Sequence, residues 1–524
     1  MDTGLCKKCA QLLKNLVASL NQLAAGFVKK MKECMTALSN CSCLRKNKSS
    51  ATYSVQQERQ AACALLDHLD TVESPLHVAL LEPYRTLLLS SDLEVQRKTS
   101  LSLANLLFKN KVSAEQIIET GMVLPLLERL QSWDPTVQRN SGQCVALLAS
   151  SDSSREAILS MGGVIPLLVL AKSYDPLVQQ NAVWALLNLT LSEGTMKVLC
   201  REGAIPVLAL LLQSSNYKVQ FYSCSALSNI AMFPEHHPKM LGIGDSFLLK
   251  SLLTLMSSSV EKNATQACRC LRILSGNVGT LEQLMHLDCA LPLKKLICSP
   301  SLPLAEAAIR LLSELSTHEL SRTSLVNVGM LHVIEQLLLG DKSSPIIIEH
   351  IVVTIINLSS ACEEQQAVMY RKCLTGLLQA LVSSVTSEET VLCITSCLHH
   401  LISYDSLQSQ LATEMTPEHV STLVMFSVQM EKAELSFRSA SIISKLDMND
   451  NVIKLLKPHY ATILEYILLY LKNQEVRFQQ LAIETLCNLK KDQDFSVVMS
   501  SSLEEQLKMV HAQTERTRLL LQKI

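Results

Sequence analysis

The chain has 524 residues, 48% of them hydrophobic but only 4% aromatic, with 47 basic against 48 acidic side chains. The even charge balance argues against a general nucleic-acid binder, and 15 glycines leave little room for Gly-rich phosphate loops. No run reaches the roughly 18 apolar residues a membrane span needs, so a soluble body is expected.

Residues 1–44 read as one long amphipathic helix. Leu5, Cys9, Leu12, Leu16, Leu20, Leu23, Phe27, Met31, Met35 and Leu38 recur every three or four positions. Within residues 1–48, nine Lys and Arg face only Asp2 and Glu33, a surplus of seven positive charges. Five cysteines lie in the same stretch: Cys6, Cys9, Cys34, Cys41 and Cys43. Basic residues, an apolar helix face and clustered cysteines together suit a lipid anchor on an anionic membrane surface. There an acyl chain and a polybasic patch act as the two signals that stable anchoring needs. The other reading is a cap over the apolar end of a repeat stack. Both remain open. Met1-Asp2 lacks the glycine of an N-myristoylation signal, so the five cysteines are the lipidation candidates. Cys6-x-x-Cys9 with Cys41-x-Cys43 is a poor zinc pattern, because the gap is long and the second pair irregular. No metal or cofactor is expected. Residues 45–54 (RKNKSSATYS) read as a flexible linker.

From residue 55 to residue 500 a phrase returns about every 41 residues. VQRKTSLSLANL from Val95, VQRNSGQCVALL from Val137, VQQNAVWALLNL from Val178 and VQFYSCSALSNI from Val219 are its clearest copies. Its last apolar residue tracks on through Leu106, Leu148, Leu189, Ile230, Leu274, Leu315, Leu358, Leu401, Leu446 and Leu489. A period of this size indicates a helical solenoid, whose units bury their apolar faces only by stacking. A second landmark keeps the same phase. Gly121-Met-Val-Leu-Pro125, Gly162-Gly-Val-Ile-Pro166 and Gly203-Ala-Ile-Pro206 each open an apolar run. Gly ends one helix, and the next is expected to start at the Pro, which suits a first helical turn. Asp134-Pro135, Asp175-Pro176 and Ser344-Pro345 mark the start of a third helix. In it Val178, Ala182, Ala185, Leu186 and Leu189 share one face. Each unit thus reads as three helices, and no sheet is expected. Residues 501–524 read as a C-terminal capping helix.

These phrases resemble the armadillo-repeat family over roughly residues 75–495, most specifically within 95–235. HEAT repeats are the alternative, but the Gly-x-x-Pro helix start and the Asn of ALLNL and ALSNI favour armadillo. The resemblance implies a right-handed superhelical, all-α solenoid of about ten three-helix units. It also implies a concave face lined by third helices, where an Asn near the helix end bonds the backbone of an extended peptide. A carboxamide suits that task, since it donates and accepts at once. The matching positions are Asn105, Asn188, Asn229, Asn357 and Asn488, interrupted by Leu147 and Glu314. The alternative is that each Asn bridges neighbouring helices. Asn140 and Asn181, earlier in the helix, read as structural.

Trp184 with Asn188 is similar to the WALxN pair of importin-α, a family that repeats the pair to sandwich lysine stems. Here the position four before the Asn is Leu101, Gln143 and Ser225 in neighbouring units, so a soluble import-type adaptor is the second reading. The layout of a basic, Cys-containing N-terminus followed by about ten repeats is more similar to the vacuolar armadillo adaptors. That resemblance implies a non-catalytic scaffold that holds partner proteins, with a location in the cytoplasm or on the face of a vacuole-like membrane. Partners are expected to be extended protein segments and, through residues 1–48, an anionic membrane. No nucleic acid or small-molecule substrate is expected.

Eighteen cysteines raise the question of disulfides. Cys144, Cys224, Cys268 and Cys487 sit singly inside helical phrases, as buried free thiols do. The sequons at Asn188 and Asn357 fall inside core helices, where no glycan has room. A reducing compartment is expected. No P-loop, dinucleotide glycine pattern, HExxH or GxSxG is present, so no catalysis is expected. Neither His pair reads as a metal site: His236-His237 sits in a Pro-flanked loop with only Glu235 close in sequence, and His399-His400 lies inside a helix, where neighbours point apart.

Overall fold

The computed structural model describes residues 81–340, 344–359, 371–383, 387–498, 501–510 and 514–523, with residues 59, 62–63, 66–67 and 78. The amphipathic segment 1–44, its five cysteines and the linker 45–54 lie outside the described residues. Two compact units are distinguished, Met1–Val112 and Ser113–Ile524. Every regular element among the described residues is helical.

In the first unit, a helix at Glu82–Leu88 precedes α1 (Leu93–Phe108). Asp92 caps α1 by accepting from the amides of Glu94 and Val95 and is held by Arg59. These bonds keep its carboxyl below the usual carboxylate range despite partial burial. Tyr84 reaches Ser102 of α1 through a buried hydroxyl pair at 2.7 Å.

The second unit repeats one plan. In its clearest copy, helices Glu193–Arg201 and Ala204–Leu211 are followed by a longer helix at Tyr217–Ala231. The long third helices are α2 (Pro135–Leu148), α3 (Pro176–Leu189), α4 (Tyr217–Ala231), α5 (Glu261–Ser275) and α6 (Leu302–Ser316). They continue as α7 (Pro345–Ser359), α8 (Glu388–Leu401), α9 (Ala433–Lys445) and α10 (Val476–Leu489). Each packs against the next in an unbroken row from α2 to α10. The second helices form a parallel row behind them, for example Met330–Leu338 against Arg371–Val382 and that against Pro417–Ser427.

The joints explain the repeated residues. Gly121, Gly162 and Gly203 take positive φ of 67°, 76° and 87°, which side chains disfavour, and so turn the first helix into the second. The second helix then starts two residues before the expected Pro. Val123, Val164 and Ala204 are its first residues, and Pro125, Pro166 and Pro206 stand third. A first-turn N–H has no intrahelical partner, so proline costs nothing there. The repeated Gln closes the next turn. Gln138 and Gln479 donate through Nε2 to the carbonyls of Ser132 and Asn473, at 2.6 and 2.7 Å. Beyond the third helix, a side chain six residues on caps a terminal carbonyl: Arg155 on Ala149, His237 on Ala231 and Gln408 on Ile402.

Stacking supplies the core. Leu186, Leu227, Leu271 and Leu312 hold one register position in α3–α6, and all are buried. Each contributes about 1.5–3 kcal/mol of burial. In the stretch expected to be one capping helix, Ser501–Met509 packs on helix Tyr460–Leu471, and α11 (Glu515–Leu521) packs on α10. The described part therefore carries the stack one further, shortened step. No helix among the described residues is long and apolar enough to cross a membrane.

Candidate peptide-binding groove

The groove is built from α3 to α6. Asp175 caps α3, accepting from the amides of Leu177 and Val178 at 2.9 and 3.0 Å. Core packing takes Val178, Ala182, Ala185, Leu186 and Leu189. Trp184, Leu187 and Asn188 are left half-buried on the other face. On α4 the same logic leaves Tyr222, Ser225 and Asn229 partly exposed. Trp184 and Tyr222 stack with ring centroids 6.3 Å apart and planes 21° from parallel. Burial pushes the Tyr222 phenol above its usual pKa, so it stays neutral.

Asn188 and Asn229 come together in one open depression of about 570 Å³, whose far wall is α5 and α6. Arg269 and Arg272 enter it from α5 and Arg310 from α6. A second depression of about 380 Å³ shares Met232, Arg272 and Ile273 with the first and adds Glu314. The three guanidinium groups make no ion pair or hydrogen bond among the described residues, and the Arg310 Nε is buried without a partner. Glu306, in the same depression, accepts from the Ser344 hydroxyl at 2.8 Å. Burial, with Arg310 and Arg272 adding to it, pushes the neighbouring His350 below its usual pKa.

The asparagines also tie units together. Asn188 Nδ2 donates to the Ala146 carbonyl of α2 at 2.8 Å, and Asn229 Nδ2 to the Thr190 hydroxyl at 2.8 Å. Asn357 Nδ2 reaches the Ser316 hydroxyl at 3.0 Å, and Asn488 Nδ2 the Ser444 carbonyl at 2.7 Å. Each bond crosses to the preceding unit and fixes the carboxamide's orientation. At Asn188 and Asn229 it leaves Oδ1 and the second amide hydrogen unengaged among the described residues. Asn357 and Asn488 stand farther along, on α7 and α10, and exposed Asn105 belongs to the first unit. Asn181 acts as a purely structural bracket, buried and donating to the Arg139 carbonyl at 2.9 Å.

The arginines were missed by the reading of the sequence, although their signal was present. Arg269 and Arg310 occupy the register of Trp184 and Ser225, with steps of 41, 44 and 41 residues. Two units thus carry cations at the position that Trp184 holds in α3.

Residues 151–191 and 197–232 match the armadillo/beta-catenin-like repeat family. The chain carries armadillo repeats over these residues. It is 30% identical to Vacuolar protein 8 of Schizosaccharomyces pombe over 182 residues, which is 33% of this chain and 32% of that relative. The match thus spans about a third of the relative's length. An engineered protein of known crystal structure superposes with a TM-score of 0.64 at 22% identity, covering 79% of this chain and 99% of its own. A designed armadillo repeat protein aligns at a TM-score of 0.41 and 22% identity, over 45% of this chain and 99% of its own.

The other candidates resolve simply. The described cysteines, Cys63 to Cys487, are free thiols. Burial raises the pKa of Cys200 to about 11 and of Cys268 to about 12, so both are protonated and unreactive at neutral pH. His237 is buried against the Ala231 carbonyl, and His399 packs beside Phe437. Among the described residues no cluster of His, Cys, Asp and Glu could hold a metal.

Proposed function

We propose that this armadillo protein is a non-catalytic scaffold that holds an extended segment of a partner protein in the α3–α6 groove. One observation carries the reading. Asn188 and Asn229 are oriented by the preceding unit, yet keep a free carbonyl oxygen and amide hydrogen facing one depression. An extended chain offers one donor and one acceptor per residue, so two such carboxamides can hold it whatever its side chains. Asn357 and Asn488 carry the same reading farther along the second unit, and Asn105 carries it within the first. The test is Asn188→Ala with Asn229→Ala in the full chain. Co-purifying partners should fall about tenfold, with helical circular dichroism unchanged. Undiminished partners would overturn the reading.

We further propose that residues 1–48 tether the scaffold to a membrane through palmitoylated cysteines. The surplus of seven positive charges and the five cysteines support this, as does the likeness to a protein named for the vacuole. Acyl-exchange labelling with membrane fractionation tests it. Label and membrane association should both vanish when Cys6, Cys9, Cys34, Cys41 and Cys43 are all Ser. An unlabelled, freely soluble wild type would leave the segment as a cap.

A further inference from the structure

The groove is divided by chemistry. On α3 and α4 the larger depression is lined by uncharged groups, among them Leu187, Ser225 and Met232, beside the Trp184–Tyr222 stack. On α5 and α6 it is lined by Arg269, Arg272 and Arg310, with Glu306 as the single acid. Surface arginines commonly find carboxylates, and in this chain Arg139, Arg477 and Arg516 do. The groove arginines have none among the described residues, and Glu306 is engaged by Ser344. Arg272 and Arg310 are partly buried, where a guanidinium without a partner is costly and an incoming carboxylate removes that cost, and exposed Arg269 stands at the rim.

We propose that the groove selects an acidic extended segment: carboxylates of successive Asp or Glu residues on Arg269, Arg272 and Arg310, and a bulky apolar side chain on the Trp184–Tyr222 shelf. The proposal rests on the groove reading above and adds its specificity. The spacing follows from geometry. Packed helices lie about 8–10 Å apart, so the basic half is two helices, about 16–20 Å, from the shelf. An extended chain advances about 3.3 Å per residue. The apolar anchor and the centre of the acidic run therefore stand about five or six residues apart. The arginines are spread over two helices, and Arg272 reaches both depressions. That spread suits several carboxylates along a chain better than one phosphate group.

The test is selection of a displayed random dodecapeptide library on the full-length protein, followed by sequencing. Peptides that the wild type enriches and the Asn188→Ala/Asn229→Ala variant does not are the groove ligands. They should carry clustered Asp and Glu with an aromatic or leucine about six positions away. Each of Arg269→Ala and Arg310→Ala should weaken a synthetic copy of the best peptide about tenfold. Raising salt from about 0.1 to about 1 M should weaken it further. Arg269→Glu with Arg310→Glu should turn the enriched charge to Lys and Arg. These side chains are partly exposed, and circular dichroism checks that the variants fold. Groove ligands without acidic bias, or with a basic one in the wild type, would overturn the acidic specificity and leave the groove reading standing. A phosphorylated copy binding while the Asp/Glu copy does not would also overturn it. No groove-dependent ligand at all would overturn both.

Discussion

The α3–α6 stretch and the α8–α10 stretch are built on the same plan, yet they treat their charges in opposite ways. In the first, Arg269, Arg272 and Arg310 face an open depression, their guanidinium groups without partners among the described residues. In the second, Arg477 pairs with Glu434 and Glu475 and lies over the rings of Phe437 and Phe478 at 5.0 and 5.2 Å. Phe478 in turn meets Tyr470 edge-on at 4.8 Å, and Tyr470 shares a hydroxyl contact with Ser436. The late units pair their arginines within the stack, whereas the early units leave three without a carboxylate among the described residues. A stack needs only the paired kind for stability, so the unpaired kind marks where a ligand is expected.

Breaking the closed region should have the largest effect. Phe478→Ala removes a fully buried ring and should cost about 3–5 kcal/mol. Because neighbours alone couple in a solenoid, hydrogen exchange should rise over α8–α10 and stay low over α3–α5. Uniform loosening would show that the two regions are one cooperative block. Gly203→Ala probes the early region through its backbone. A Cβ there meets nothing within 4 Å, so the φ of 87° is the whole penalty, about 1–2 kcal/mol by denaturant titration. The arginines give the sharpest contrast. Arg477→Ala should cost about 1 kcal/mol, since it loses a cation–π contact and partly exposed ion pairs. Arg310→Ala should not lower stability, because it removes a partly buried guanidinium that has no partner among the described residues. Equal losses would erase the distinction.

The last effect is absent at neutral pH and appears only in acid. Burial, with Lys445 and Arg438 nearby, lowers the His399 pKa to about 4. The unfolded chain then binds a proton below about pH 6.5 that the folded chain refuses until about pH 4. Stability must therefore fall as pH drops through that window, and His399→Gln should flatten the fall in melting temperature. An unchanged slope would remove His399 from the account.

Much of this was legible in the sequence. The period, the three helices per unit and the caps at Asp134 and Asp175 follow from apolar spacing and Asp-Pro pairs, which are local signals. The offset of the second helix by two residues was not, because proline is tolerated anywhere in the first turn. For Asn188 and Asn229 the sequence offers bridge or ligand, and the structure shows the bridge while leaving room for the proposed second role. A carboxamide has enough donors and acceptors for both. The arginine wall was hidden for another reason. Arg269 and Arg310 sit in the right register, but a sequence does not say which arginines lack carboxylates. Only the placement of Glu306 and Ser344 decides that.

The most direct test of the central claim is photo-crosslinking in cell extract. A photoreactive residue replaces Ser225 on α4, or separately Gln480 on α10, which is held by Thr514 and Thr517. Crosslinked partner peptides are then mapped by mass spectrometry. The account predicts adducts from position 225 that disappear with Asn188→Ala and Asn229→Ala, and few from position 480. Adducts from 225 that survive those substitutions, or adducts from 480 alone, would contradict it.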